Sequence, residues 1–153
     1  FAQRAKDAGV DGLIMVNLPQ EEAADLRQTL SAVGMDLVSL IAPTTADQRA
    51  QEIAATASGF LYYVSLKGTT GSGALAVDEV AERMSFLQTL TDVPICVGFG
   101  IKDAKSAAAV SAHADGVVVG SALVQLMAES ADPNIAAERL QNAAADIRHG
   151  LDG

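Results

Sequence analysis

The chain has 153 residues, of which 50% are hydrophobic and 19% charged, and ten Lys and Arg against nineteen Asp and Glu give a formal net charge of −9. This composition excludes a disordered or fibrous chain and predicts one globular domain over residues 1–153. An acidic surface without a basic run argues against nucleic acid or an anionic membrane as partner, and no apolar run approaches the roughly 20 residues of a membrane helix.

Five short apolar runs alternate with Ala-rich amphipathic segments along the chain. The runs predict strands buried on both faces, as in parallel sheets, over Gly12 to Val16, Leu37 to Ala42, Phe60 to Val64, Pro94 to Gly98 and Gly116 to Gly120. The amphipathic segments predict helices over Phe1 to Ala8, Pro19 to Val33, Thr45 to Ala57, Val77 to Leu90, Asp103 to His113, Ser121 to Ala128 and Pro133 to Arg148.

Alternating strands and helices are typical of two architectures, the open doubly wound sheet and the closed (β/α)₈ barrel. No G-x-G-x-x-G turn follows the first predicted strand, which disfavours the dinucleotide-binding form of the open sheet. A full barrel takes about 250 residues and eight modules. The sequence therefore predicts a TIM barrel represented by its C-terminal five βα modules.

Cys96 is the single cysteine, and it lies in the fourth apolar run. One cysteine excludes an intramolecular disulfide and any cysteine-based metal site. We expect no metal and a reducing, cytoplasmic location.

Glycine-rich segments follow the last three predicted strands. They are the Ser65 to Gly73 segment, Gly98-Phe99-Gly100-Ile101 and Gly120-Ser121. Glycines let backbone N–H groups approach an anion, and Ser121 opens a helix whose N-terminus is partially positive. Each glycine alone is explained by a tight turn, but three in succession at module spacing predict a phosphate site.

Candidates for proton transfer are few. Asp11 and Asp115 precede strands, where a carboxylate commonly bonds the turn, and Asn17 cannot exchange protons. Lys67, in the long connection from Ser65 to Ala76, fits a solvated lysine better than a ligand, so Thr70 and Gly71 are the better contacts there. Adjacent strand residues point to opposite faces, so one of Tyr62 and Tyr63 faces the barrel lumen.

The order of these motifs resembles the tryptophan synthase alpha chain over essentially all 153 residues. The resemblance rests on Ala8-Gly9-Val10-Asp11-Gly12-Leu13-Ile14, Asn17-Leu18-Pro19-Gln20-Glu21-Glu22, Ile41-Ala42-Pro43-Thr44-Thr45, Gly59-Phe60-Leu61-Tyr62-Tyr63-Val64-Ser65, Gly68-Thr69-Thr70-Gly71, Pro94-Ile95-Cys96-Val97-Gly98-Phe99-Gly100-Ile101 and Ala114-Asp115-Gly116-Val117-Val118-Val119-Gly120-Ser121-Ala122. It implies a barrel lyase that cleaves indole-3-glycerol phosphate to indole and glyceraldehyde 3-phosphate.

The resemblance also implies partners and residue roles. A pyridoxal-phosphate-dependent beta chain would receive the indole within an alpha2-beta2 tetramer, and this chain would hold no cofactor. The substrate phosphate would lie on Gly71, Gly100, Gly120 and Ser121. The indole pocket would contain Phe99, Ile41 and Ile14, with Tyr62 assisting near the reacting end and Thr70 on a closing loop.

Two departures from the family pattern stand out. The family's catalytic glutamate and aspartate precede the region that this chain resembles, so we expect the chain alone to bind weakly and to catalyse nothing. Asn17 stands where the family usually has an aspartate. Two alternatives stay open: another phosphate-binding barrel, such as a ribulose-phosphate epimerase or thiamine-phosphate synthase relative, or a non-catalytic half-barrel that binds or assembles and covers its open edges by oligomerising.

Overall fold

The computed structural model describes residues 1–64, 77–98 and 100–152. Five strands are present in that part of the chain: β1 (Gly12–Ile14), β2 (Asp36–Ile41), β3 (Leu61–Val64), β4 (Ile95–Gly98) and β5 (Gly116–Val118). Seven α-helices accompany them: α1 (Ala2–Asp7), α2 (Ala24–Ser31), α3 (Asp47–Ala54), α4 (Val77–Leu87), α5 (Ala104–Ser111), α6 (Ser121–Ala128) and α7 (Pro133–Asp152).

The strands form one parallel sheet in the order β1-β2-β3-β4-β5, the same order as in the chain. Strictly sequential order lacks the reversal that defines a doubly wound sheet, and it is the order of a (β/α)₈ barrel. The architecture is thus a half-barrel of five βα units, and the predicted fold class is confirmed.

The hydrophobic core lies between the helices and one face of the sheet. Leu61, Tyr63, Ile95 and Val97 alternate along β3 and β4, and each is at most 3% exposed. They pack with buried residues of the helices: Ala50, Ile53, Val80, Met84, Leu87, Ala107, Val110 and Ile147. The residues between them on each strand, Tyr62 and Cys96 among them, face the opposite side, which is the lumen of a barrel.

Several predicted boundaries are wrong by a few residues for identifiable reasons. The helix predicted from Pro19 divides into a 3₁₀ turn (Gln20–Glu22) and α2, because the amides of Glu22 and Ala23 bond three residues back and regular α-helical bonding begins at Arg27. The first strand ends at Ile14 and the last at Val118, since pairing stops at those residues. The remaining elements were predicted within about three residues, apart from the longer α7.

Helices α5 and α7 approach closely at Gly150. A Cβ atom there would lie 2.8 Å from the Ala104 Cα atom and 2.9 Å from its carbonyl carbon, which are backbone atoms that cannot rotate away. Gly150→Val is therefore expected to lower the free energy of unfolding by about 2 kcal/mol through overpacking. Chemical denaturation of the native polypeptide that carries these residues measures the loss.

The control for Gly150→Val is Ala145→Val, which introduces the same side chain on the exposed surface of α7. Only helix propensity changes there, at a cost of about 0.6 kcal/mol. Equal losses in the two variants would contradict a close helix contact at Gly150.

Candidate functional site

The carboxyl ends of the five parallel strands meet at one edge of the sheet, where parallel α/β proteins bind ligands. We call it the functional edge. Gly98 of β4 pairs with Val118 of β5. Gly100 and Gly120 each follow two residues beyond that pair, so the two glycines lie in neighbouring loops at this edge. Gly100 has φ +70°, a conformation that favours glycine.

Gly120 and Ser121 form the start of α6. Gly120 is the N-cap, and its carbonyl oxygen accepts the amides of Leu123 and Val124 at 3.0 Å each. Both residues are exposed, and a Cβ atom at Gly120 would meet no atom within 4 Å. The first amides of an α-helix have no partner within the helix, so this open end can receive an anion.

Tyr62 lies on the lumen face of β3, beside Cys96 of β4. Its phenol ring covers Gly98, where an added Cβ atom would lie 2.7 Å from the ring Cζ atom. Tyr63 points the other way and is 3% exposed in the helix-side core, which confirms that the two tyrosines divide between the faces. The lumen face therefore presents a phenol next to the glycine-rich edge.

The predicted pocket residues do not all share that face. Ile14 is 45% exposed and opposite Val38, whereas its neighbour Leu13 packs in the helix-side cluster around α2. Ile41 is 1% exposed and belongs to the core beneath the helices, paired with Tyr63. The structure thus brings Ile14 and Tyr62 to the lumen side and places the side chain of Ile41 on the other face of the sheet.

Four predicted positions, Lys67, Thr70, Gly71 and Phe99, lie outside the described residues. Asn17 is exposed and follows β1 at the functional edge. Asp115 accepts the Ile95 amide at 2.8 Å, so its carboxylate bonds the start of β4 rather than its own turn. Burial, assisted by the nearby Asp115 carboxylate, raises the pKa of the Cys96 thiol, so this cysteine stays protonated at neutral pH.

Two arginine side chains near the functional edge make contacts that the sequence analysis did not predict. Arg49 of α3 donates to both carboxylate oxygens of Glu21, one at 2.8 Å, and so fixes the 3₁₀ turn that follows β1. Arg83 of α4 reaches the turn that follows β2. Charged residues on amphipathic helices usually face solvent, and sequence spacing alone does not show which of them cross to another element.

The Glu21–Arg49 pair makes stability depend on pH. The hydrogen bonds from Arg49 lower the pKa of the Glu21 carboxyl to about 2, from an ordinary value of 4.5. A pKa that is lower in the folded state stabilises the fold above pH 4.5, and this contribution is lost as the pH falls towards 2. Glu21→Gln is expected to show a smaller drop in melting temperature between pH 6 and pH 2.5.

Thermal unfolding at the two pH values checks the Glu21 prediction. Glu22→Gln serves as the control, because it removes the same charge from the same turn without removing the bonds to Arg49. If the wild type and Glu21→Gln lose equal stability on acidification, the ion pair does not contribute in solution.

Among the described residues, no group of three His, Cys, Asp or Glu side chains could hold a metal ion. In residues 1–64, 77–98 and 100–152 no helix is both long and apolar enough to cross a membrane. The arrangement at the edge is a helix N-terminus and two glycine loops beside an apolar lumen face with one phenol. It suits a ligand with an anionic group at one end and a flat apolar group at the other.

These features are those of a class, the (β/α)₈-barrel proteins, in which phosphate sites frequently lie at the loops after the last strands. The family model for the tryptophan synthase alpha chain matches residues 1–151. The chain is 51% identical over 151 residues to the tryptophan synthase alpha chain of Chromobacterium violaceum, covering 99% of this chain and 57% of the relative. It belongs to the tryptophan synthase alpha chain family.

Solved structures agree with this assignment. The tryptophan synthase alpha chain of Legionella pneumophila superposes with a TM-score of 0.84 at 36% identity, covering 99% of this chain and 55% of the other. A chain from the tryptophan synthase a2b2 complex of Pyrococcus furiosus gives a TM-score of 0.84 at 32% identity, with coverages of 97% and 60%. The chain spans little more than half the length of the relatives that it matches.

Proposed function

We propose that these residues form the phosphate-binding and indole-binding part of a tryptophan synthase alpha chain. In this proposal the native polypeptide is a lyase that cleaves indole-3-glycerol phosphate to indole and glyceraldehyde 3-phosphate. The observation that carries the proposal is the pairing of Gly98 with Val118, which brings Gly100 and the Gly120-Ser121 helix start together at the functional edge. Family membership supplies the substrate.

The proposed roles follow the position of each residue. Backbone amides at Gly100, Gly120 and Ser121 hold the phosphate, and Gly71 adds a further contact as the family resemblance implies. Ile14 and Tyr62 line the lumen against the indole ring. Phe99 and Thr70 complete the pocket as the family resemblance implies, whereas Ile41, whose side chain lies in the helix-side core, takes no part in it. Fixing both ends of the substrate orients the bond to be cleaved.

Cleavage of this substrate needs a proton at the indole ring and the removal of a proton from the glycerol hydroxyl. Those steps require positioned acid and base groups. The described lumen face offers the Tyr62 phenol, and the resemblance implies that the glutamate and aspartate of the family precede the matched region. We infer that this chain binds and orients the substrate and that the carboxylates come from elsewhere in the native polypeptide.

The a2b2 complex of the Pyrococcus furiosus relative suggests the partner. We propose that the native polypeptide joins a tryptophan synthase beta chain in an alpha2-beta2 tetramer in the cytoplasm and passes indole to it. In this arrangement pyridoxal phosphate belongs to the beta chain, and the alpha chain needs no cofactor of its own.

The first experiment is the intact mass of the native polypeptide together with an assay of indole release from indole-3-glycerol phosphate. A mass near that of a barrel of about 250 residues, with indole release, supports the lyase proposal. A mass of 15.7 kDa without indole release contradicts it and favours a half-barrel that binds without cleaving. A full-length barrel that releases no indole but converts another sugar phosphate favours the other phosphate-binding enzymes.

A further inference from the structure

Arg83 of α4 connects three elements near the functional edge. Its Nη2 atom donates to the Thr45 carbonyl oxygen at 2.8 Å, and its Nη1 atom donates to the Asp47 carboxylate at 2.5 Å. Its guanidinium carbon lies 4.9 Å from the centre of the Phe86 ring. The Arg83 side chain is 17% exposed, whereas the Asp47 side chain that it binds is 70% exposed, so the guanidinium is the shielded partner of this pair.

The segment held by Arg83 is the turn from Ala42 to Thr45, which directly follows β2 at the functional edge. The turn closes on itself, since the Thr45 amide donates to the Ala42 carbonyl oxygen at 2.9 Å and the Ala42 amide donates to the Thr45 hydroxyl at 3.0 Å. Arg83 adds the tie between this closed turn and α4. Leu40, two residues before the turn, pairs with Tyr62, so the turn continues the strand beside Tyr62.

Burying an arginine at position 83 has a free-energy cost, which indicates that the stability of the fold alone does not explain why this residue is an arginine. The Arg83 Nε atom is buried and has no hydrogen-bond partner within the described part of the chain. A buried donor without a partner is unfavourable, and an apolar side chain of similar size would avoid that penalty. The guanidinium does what such a side chain cannot, because its planar fork binds a backbone carbonyl and a carboxylate at once.

We propose that Arg83 is a positioning residue of the lyase site, holding the Ala42 to Thr45 turn so that the substrate pocket keeps its shape at the end of β2. The proposal rests on the proposed function for its consequence in catalysis. The tie between α4 and the turn is independent of any activity. Arg83 acts through the turn and does not itself contact the substrate.

Backbone hydrogen exchange tests the tie directly. In Arg83→Met the amides of Ala42 and Thr45 are expected to exchange about tenfold faster, because the turn opens locally while the sheet stays closed. The amides of Leu61 and Asp115, which bond carbonyls across the sheet, are expected to keep their wild-type rates. Unchanged exchange at Ala42 and Thr45 would overturn the proposal.

Steady-state kinetics test the consequence for the substrate. Arg83→Met is expected to raise the KM for indole-3-glycerol phosphate about tenfold with kcat nearly unchanged, the signature of lost binding rather than lost chemistry. Arg83→Lys keeps the positive charge but not the planar fork of the guanidinium, so its KM is expected to lie between those of the wild type and Arg83→Met. Arg148→Met, which removes an exposed ion pair with Asp152 on α7, is the matched control and leaves KM unchanged.

The kinetic outcomes separate the two proposals. Faster exchange with a raised KM supports the positioning role. An active wild type whose Arg83→Met variant has the wild-type KM overturns that role and leaves the lyase proposal standing. A general loss of active protein, seen as a lower kcat at constant KM, shows Arg83 to be structural only and overturns the positioning role as well.

Discussion

Gly98→Ala is expected to reduce indole release by the native polypeptide about a hundredfold while the protein stays folded, since a misplacement of about 1 Å at a reacting centre can cost that much. The added Cβ atom would lie 2.7 Å from the Cζ atom of Tyr62 and would overlap one further ring atom and the hydroxyl oxygen. Gly98 is paired on both sides, with Val64 and Val118. The ring tip of Tyr62 therefore yields before the backbone does.

Enzyme kinetics and chemical denaturation of single and double variants test this explanation. Gly116→Ala is the matched control, because its Cβ atom lies on the same face and meets only the Cys96 sulfur, at 3.0 Å. Combining Gly98→Ala with Tyr62→Ala removes the clash, so the loss of stability in the double variant is expected to be smaller than the sum of the single losses. Tyr62→Phe keeps the ring, so the clash remains when it is combined with Gly98→Ala, and the loss of stability in that double variant is not expected to be reduced.

Strictly additive losses of stability in Gly98→Ala and Tyr62→Ala would contradict the contact between ring and glycine. An active Gly98→Ala enzyme with wild-type kinetics would contradict the proposed place of Tyr62 near the reacting end of the substrate. The first result concerns the fold and the second the function, so the two interpretations fail separately.

The architecture could be predicted because each strand is an apolar run too short for a helix and each helix carries its own end signals. Ser121 and Ala128 bound α6 as predicted, since glycine precedes the helix and polar residues follow it. The 3₁₀ turn could not be predicted, because the choice between bonding three or four residues back depends on the contacts of the turn. Its bond to Arg49 joins residues 28 positions apart.

The face of each strand residue was less predictable than the strand itself. A strand buried on both sides carries apolar residues at every position, so period-two alternation does not reveal which set faces the helices. Ile41 and Tyr63 are paired across β2 and β3 and both lie in the core, whereas Tyr62 lies on the lumen side. The sequence predicted that the two tyrosines separate, but only the register assigns each one to its face.

The glycines that we propose to hold the phosphate could be located from the sequence to the extent that their placement depends on local chain geometry. Glycine at a strand end and a helix start one residue later are visible in the sequence, and the structure brings Gly100 and Gly120 to neighbouring loops. The Tyr62 ring over Gly98 and the Arg83 tie to Thr45 depend on side-chain packing between elements. Such contacts are only weakly indicated by the sequence, in this case by a glycine, Gly98, within a buried strand.

Gly120→Asp is expected to raise the KM for indole-3-glycerol phosphate about a hundredfold, equivalent to about 2.7 kcal/mol of binding free energy. An aspartate at the N-cap places its carboxylate on the first amides of α6, which the proposed site offers to the phosphate. The two anions then compete for the same donors and repel each other.

The stability of Gly120→Asp is expected to change in the opposite sense to its affinity. Its Cβ atom meets nothing within 4 Å, and aspartate caps a helix at least as well as glycine, so the free energy of unfolding stays the same or rises by a few tenths of a kcal/mol. Gly120→Asn, a neutral side chain of the same shape, should show the same stability and a smaller rise in KM. If both variants keep the wild-type KM in steady-state assays, the phosphate does not bind at the start of α6. If the rise in KM comes with a loss of stability, the glycine is required by the fold rather than by the ligand.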